Sequence, residues 1–249
     1  MFLRAFNQSH GFVIAPGPYF EQEQLAAVEH ERHIAEHAGD TPVTKAGFRQ
    51  PHQPKSWLEP DVARYLPSVK PLLREPGFID ALVEILDAKR IQLWGISLSV
   101  RRPNDQIRIG WHQDFALWSE DWHSPQGLAL AVIPMTRLTP DSAPPRFVPG
   151  SHRWGFTGTG DFFAQDNEAQ IEYMRTQYGD RWQEVDALVQ PGGLLVYSSL
   201  TYHGCQMNTS GSDRSLLALL LSTEKSQLKS TSDLVAGLDD TGRYPLLVG

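Results

Sequence analysis

The sequence predicts a mainly β fold with flanking helices, and three observations carry that expectation. Short apolar runs rich in β-formers recur at Ile91 to Val100, Leu128 to Met135, Arg146 to Val148, Ala187 to Val189, Leu194 to Tyr197 and Leu216 to Leu221. Turn signals separate them, among them Pro103-Asn104-Asp105, Pro144-Pro145, Pro149-Gly150, Pro191-Gly192-Gly193 and Ser210-Gly211-Ser212-Asp213. Before Ile91 that texture is missing and the chain reads as helical. Many short strands at such spacing argue for a β-sandwich or a double-sheet jelly roll, an architecture that includes cupins.

Taken in order, Glu21 to Ala38 is rich in Glu, Gln, Ala and His and stops at Gly39, which predicts a helix. His30, His33 and His37 fall near one face of it, but Glu29, Glu31 and Glu36 surround them, and a solvated face accounts for the composition without a metal. Gly39 to Pro60 is polar and broken by prolines, a long loop that contains His52. Two further helical pieces follow, Asp61 to Arg74 and Pro76 to Leu86, the second with an apolar stripe through Leu82, Val83 and Leu86. These helices are expected to pack outside a sheet. Asp166 to Gln177 has helical composition and interrupts the strands, so 154–181 reads as a partly helical insertion. The expected organisation is one domain over 1–249. It has an N-terminal helical scaffold (1–90), a jelly-roll core (91–222) with that insertion, and a C-terminal extension (223–249).

Composition narrows the function. A chain of 249 residues with 41% hydrophobic and 10% aromatic content can build a substantial core. A formal net charge of -7 disfavours a protein that tracks a phosphate backbone, so no nucleic-acid partner is expected. The single cysteine, Cys205, excludes an intrachain disulfide and a cysteine-rich zinc site. Met1 to Phe20 holds no apolar run of signal-peptide length, and eighteen consecutive apolar residues occur nowhere. A cytoplasmic protein with no membrane partner is the expectation.

The chemistry concentrates in Gly110-Trp111-His112-Gln113-Asp114 together with His203. Two imidazoles and a carboxylate form the minimal protein ligand set of a mononuclear non-haem iron(II) site, which leaves positions open for oxygen and a cosubstrate. In an extended segment residues i and i+2 share a face, so His112 and Asp114 can hold one ion while His203 arrives from a neighbouring strand. Arg214 opens the apolar strand that follows. Carried inward, its guanidinium can clamp the distal carboxylate of a 2-oxo acid through two parallel hydrogen bonds.

These residues, with Val148-Pro149-Gly150-Ser151-His152-Arg153 and the pair His203-Gly204, resemble the phytanoyl-CoA dioxygenase family of iron(II)/2-oxoglutarate oxygenases over about residues 90 to 222. The resemblance implies a double-stranded β-helix core, with His112, Asp114 and His203 as iron ligands and Arg214 on the distal carboxylate of 2-oxoglutarate. It implies that Gln113, between two ligands, and Leu98, on the preceding strand, contribute to the cosubstrate pocket. His152 is read as a residue of loop structure and not as a ligand.

The implied cofactors are Fe(II), 2-oxoglutarate and O2, and the implied reaction is oxidation of an unactivated C–H bond with release of succinate and CO2. Hydroxylation is the expected outcome, with desaturation, ring formation and epoxidation as variants. Asp114 argues against a radical halogenase, in which a small residue stands at that position. Relatives commonly carry an Asn-Gly-Cys turn where this chain has Pro140 to Arg146, and some have lysine where Arg102 precedes Pro103, so a fatty acyl-CoA substrate is not implied. Trp111, Phe115, Trp118, Trp122 and His123 crowd the metal loop and suit a small organic molecule, of secondary-metabolite type, with apolar surface; packing of the loop explains them equally. The reading from another class is a non-catalytic or isomerase-type cupin-like metal-binding protein, which has no need of the Arg214 clamp.

Overall fold

The computed structural model describes residues 2–37, 57–60, 66–104, 108–158, 168–230 and 246–249. Two antiparallel sheets face each other. The major sheet is seven-stranded and runs β1 (Phe12–Ala15), β8 (Leu194–Ser198), β5 (Leu128–Pro134), β10 (Arg214–Thr223), β3 (Ile91–Arg101), β11 (Leu246–Val248), with β2 (Trp57–Pro60) also paired to β3. The four-stranded minor sheet runs β4 (Ile109–His112), β9 (His203–Cys205), β6 (Pro145–Phe147), β7 (Val185–Asp186). This is the double-sheet jelly-roll arrangement.

Alternation along each major-sheet strand sends one row of side chains between the sheets and the other toward the helices. Phe12, Leu130, Val132, Leu195, Tyr197 and Leu216 pack inward with Phe147 of the minor sheet. Val13, Ala131, Ile133, Val196, Leu217 and Leu219 pack outward. The outward row is covered by α2 (Gln22–His37) through Leu25 and Val28, α3 (Val69–Leu72) through Val69 and Leu72, and α4 (Pro76–Leu86) through Phe78, Leu82 and Ile85.

One irregularity decides what β3 offers to each layer. Opposite β10, Leu221 pairs with Leu93 and Leu220 with Gly95, leaving Trp94 as the extra residue of a β-bulge. Before the bulge Ile91 and Leu93 face the helices; after it Ile96, Leu98 and Val100 do. Trp94 turns into the inter-sheet core, and Gly95, Ser97 and Ser99 line the space between the sheets.

Several expectations need correction. The loop expected to run to Pro60 ends in β2, which lies along β3; His52 falls outside the described residues. The helix expected over Asp61 to Arg74 shortens, among the described residues, to the single turn Val69–Leu72, because Pro67 disfavours helical geometry in the residue before it and has no N–H to donate. The strand placed at Ala187 to Val189 lies earlier, Val185 pairing with Phe147 and Asp186 with Arg146. Beyond Asp186 the opposing residue is Pro145, which accepts from the Ala187 N–H at 2.8 Å but cannot donate back, so the ladder stops. The insertion contributes α6 (Glu168–Tyr178), close to the helix expected there, with 159–167 outside the described residues. Helix α1 (Phe2–His10) and strand β1 were not foreseen.

The Pro149-Gly150-Ser151-His152-Arg153 segment has a visible structural task. The Gly150 N–H donates to His10 O at 2.8 Å, the His152 ring reaches Gln8 O at 3.2 Å, and Arg153 donates to Gln8 O and Ser9 O. The turn thereby satisfies the last carbonyls of α1, which a helix leaves without internal donors. Burial, the largest influence, pushes the His152 pKa down and so favours the neutral ring. Gly11, at φ +82, closes α1, and a Cβ there would stand 2.3 Å from His152 Nδ1. No helix among the described residues is long and apolar enough to cross a membrane.

Candidate metal centre and adjoining cavity

Three buried side chains meet between the sheets: His112, Asp114 and His203 each offer a donor atom, all within 4.8 Å of one another. His112 ends β4 and stands directly opposite His203 at the start of β9, with ring centroids 4.2 Å apart. Gly204 permits this approach, because a Cβ there would lie 2.7 Å from Ile109 O.

Asp114 does not continue the strand as the i, i+2 argument expected. It adopts helical φ −58 and ψ −29 and opens the single turn α5 (Phe115–Trp118). Its side chain caps nothing and instead points at the two rings. Oδ1 lies 3.3 Å from His112 Nε2 and Oδ2 lies 3.4 Å from His203 Nε2.

The ring tautomers are set from behind. His112 Nδ1 sits 2.8 Å from Gly110 O and His203 Nδ1 sits 2.9 Å from Thr201 O. A carbonyl oxygen can only accept, so each Nδ1 donates and each Nε2 faces the carboxylate. Burial is the main reason that the His203 pKa falls to about 4; His112 adds to the drop and Asp114 opposes it. For Asp114, burial works upward, yet His203, His112 and a hydrogen bond from Tyr197 together hold the carboxyl below its ordinary value. Two imidazoles, a carboxyl held below its ordinary pKa and a buried Oδ2 without a hydrogen bond form a donor set that fits a divalent iron ion.

A cavity of about 460 Å³ opens from these residues. Its walls include Ser97, Ser99, Leu130, Val132, Leu216 and Ala218 of the major sheet, Leu117 and Trp118 of α5, and Tyr197, Cys205 and Arg214. Arg214 is buried at the start of β10 and its Nη1 donates to Ser99 Oγ at 3.2 Å.

The remaining expected site residues stand elsewhere. Gln113 is buried, but its amide is engaged away from the cavity: Nε2 donates to Gly155 O and Leu200 O at 2.8 Å, and Oε1 accepts from the Thr157 N–H at 3.0 Å. Leu98 faces the helices, and its neighbours Ser97 and Ser99 face the cavity, a reversal caused by the Trp94 bulge. Of the aromatics near the metal loop, Trp118 reaches the cavity, Phe115 and Trp122 pack in the inter-sheet core, and Trp111 packs under α6 with Met174, Trp182 and Tyr202. Arg102, at the position of the relatives' lysine, is ion-paired with Asp213. His30 and His33 are exposed, and among the described residues the His112, Asp114 and His203 group is the one arranged to hold a metal. Tyr197 and the serines of β3 were missed; alternation along β8 would have pointed to Tyr197.

Residues 10–216 match the phytanoyl-CoA dioxygenase (PhyH) family. The chain belongs to that family. It is accordingly a non-haem iron, 2-oxoglutarate-dependent oxygenase, with Fe(II), 2-oxoglutarate and O2 as its cofactors and cosubstrates. No curated protein matches it in sequence. Solved structures share its fold. The non-heme alpha ketoglutarate dependent carbocyclase SnoK from nogalamycin biosynthesis superposes with a TM-score of 0.75 at 16% identity, over 100% of this chain and 96% of that one. The epimerase SnoN from the same biosynthesis gives 0.71 at 15% identity, over 99% and 97%. EctD from S. alaskensis, solved with 2-oxoglutarate and 5-hydroxyectoine, gives 0.72 at 18% identity, over 91% and 77%.

Proposed function

We propose that this PhyH-family enzyme hydroxylates an unactivated C–H bond of a small, uncharged and largely apolar organic molecule. The observation that carries this reading is the composition of the cavity beside the three metal-binding candidates. Its walls are mostly aliphatic and aromatic, and outside His112, Asp114, His203 and Arg214 they offer no charged side chain among the described residues. A free amino acid or an acyl-CoA would find no ionic partner there. SnoK and SnoN, both from nogalamycin biosynthesis, support a small-molecule substrate.

In this reading His112, Asp114 and His203 hold Fe(II), and Arg214 binds the distal carboxylate of 2-oxoglutarate. Bound iron and 2-oxoglutarate supply oxygen activation, coupling formation of succinate and CO2 to oxidation of the substrate carbon. The chain's own residues orient and shield. Gly110 O and Thr201 O keep both Nε2 atoms aimed at one point, Ser99 Oγ accepts from Arg214 and aligns its guanidinium, and Leu130, Val132 and Leu216 keep water from the reacting face. The whole chain acts as one oxygenase domain, with α2 to α4 as its scaffold.

Screening apolar metabolites for substrate-dependent succinate release, with mass analysis of the product, tests the proposal. The expected product is heavier by one oxygen atom. A product of unchanged mass or one short of two hydrogens would replace hydroxylation with epimerisation or with ring closure or desaturation, and turnover confined to charged substrates would overturn the substrate class.

A further inference from the structure

A second buried arginine, Arg101, is the cross-strand neighbour of Arg214 behind the residues that wall the cavity, and no carboxylate among the described residues neutralises it. Arg101 ends β3 and pairs in register with Arg214 on β10, so the two residues are cross-strand neighbours. It belongs to the row that follows the bulge through Gly95, Ser97 and Ser99, on the face that lines the cavity. Its Nη2 reaches across the inter-sheet space to Cys205 Sγ, a cavity-wall atom, at 3.5 Å.

Arg101 is 5% exposed, and its Nε has no hydrogen-bond partner. Among the described residues no carboxylate lies within ion-pair distance of it. Arg32 shows the contrast: buried still more fully, it is paired with Glu29 at 2.7 Å and Asp213 at 3.4 Å. A guanidinium stays protonated even when buried, and a thiol is a poor acceptor, so Arg101 keeps the cost of desolvation without an anion to offset it. Like charges on directly opposed strand residues add repulsion. A carboxylate held between Arg101 and Arg214 relieves both penalties.

We propose that Arg101 is a second carboxylate-binding residue, gripping with Arg214 the distal carboxylate of 2-oxoglutarate. The inference rests on the placement of 2-oxoglutarate proposed above. It adds that this chain divides the carboxylate between guanidinium groups on two strands, with Ser99 Oγ, two residues before Arg101 on β3, accepting from Arg214.

The test is anaerobic calorimetry on the Fe(II)-loaded protein, titrated with 2-oxoglutarate and separately with 2-oxovalerate, which keeps the chelating end and lacks the distal carboxylate. Arg101→Met should weaken 2-oxoglutarate binding by about 30-fold or more, the loss typical when one partner of a buried charge pair is removed. The same variant should leave 2-oxovalerate binding unchanged, and Arg101→Lys should restore part of the affinity for the dicarboxylate. Metal-free, ligand-free Arg101→Met should melt at the wild-type temperature or above it, since an uncompensated buried charge has gone. Arg101→Met that binds 2-oxoglutarate like wild type while Arg214→Met has lost it would overturn the Arg101 role alone, and would point to an anionic substrate group instead. Equal weakening toward both oxo acids would reduce Arg101 to a structural residue. Wild-type protein that binds neither would remove the underlying placement of 2-oxoglutarate, and Arg101's role with it.

Discussion

Burial sets the His203 pKa near 4, against an ordinary value of 6.5, and this has a consequence for the metal-free protein. Between those values the unfolded chain binds more protons at this side chain than the folded one, so stability rises with pH across the window. The contribution is complete above about pH 6.5 and disappears as the pH falls through about 4, roughly 3 kcal/mol in all. The urea midpoint of metal-free protein should therefore drop between these limits, and His203→Gln should flatten the drop; an equally steep loss in the variant would assign it to other groups. At this scale the sequence was most legible for residues whose chemistry has few alternatives. Two histidines, an aspartate and an arginine in fixed order point to a site whatever their surroundings. Gln113 was not legible in the same way, because an amide between two candidate ligands can turn toward the cavity or away from it. The carbonyls of Gly155 and Leu200 decide that, and both are distant in sequence.

Gln113 matters more for the elements it joins. Its side chain ties the β4-α5 connection to the start of the insertion at Gly155 and Thr157 and to the β8-β9 connection at Leu200. Gln113→Ala leaves two partly buried carbonyls and an N–H without this partner, at a cost of up to about 1 to 3 kcal/mol for a group that water cannot reach. Thermal unfolding should register a clear loss, and metal affinity should fall with it as Asp114 loses its support. Unchanged melting would mean that the insertion is not held this way. Strands long enough to alternate, such as β3, β5, β8 and β10, were readable in advance. Strands β1, β4 and β9 have too few residues for a period to emerge, and sheet pairing defines them. Asp114 shows the same limit: an extended pair and a strand followed by a helical turn both bring it to His112, and the spacing is silent on which is used.

For the whole molecule, the two sides of the major sheet have separate duties, and Leu98 tests the separation. It is fully buried in the layer shared with α2, α3 and α4, while Ser97 and Ser99 beside it face the cavity. Leu98→Ala should destabilise the protein by about 2 to 5 kcal/mol and leave 2-oxoglutarate affinity unchanged. A loss of affinity without a loss of stability would return Leu98 to the cosubstrate pocket. The layered architecture itself was legible, since recurrent short strands after a helical stretch admit few arrangements. The face presented by each β3 residue was not, because the bulge depends on how β10 pairs with it.

That bulge at Trp94 has a consequence for how the enzyme can change. After it, neighbouring positions of one strand answer to different selection: 96, 98 and 100 to helix packing, 95, 97 and 99 to whatever enters the cavity. Mutational tolerance should therefore follow a two-residue rhythm, with the hydroxyl-bearing positions free to drift toward new ligands while their neighbours stay fixed. Deleting Trp94 would remove the extra residue and leave Leu93 and Gly95 in plain alternation, so each later position of β3 would keep its face while the space between the sheets lost its indole.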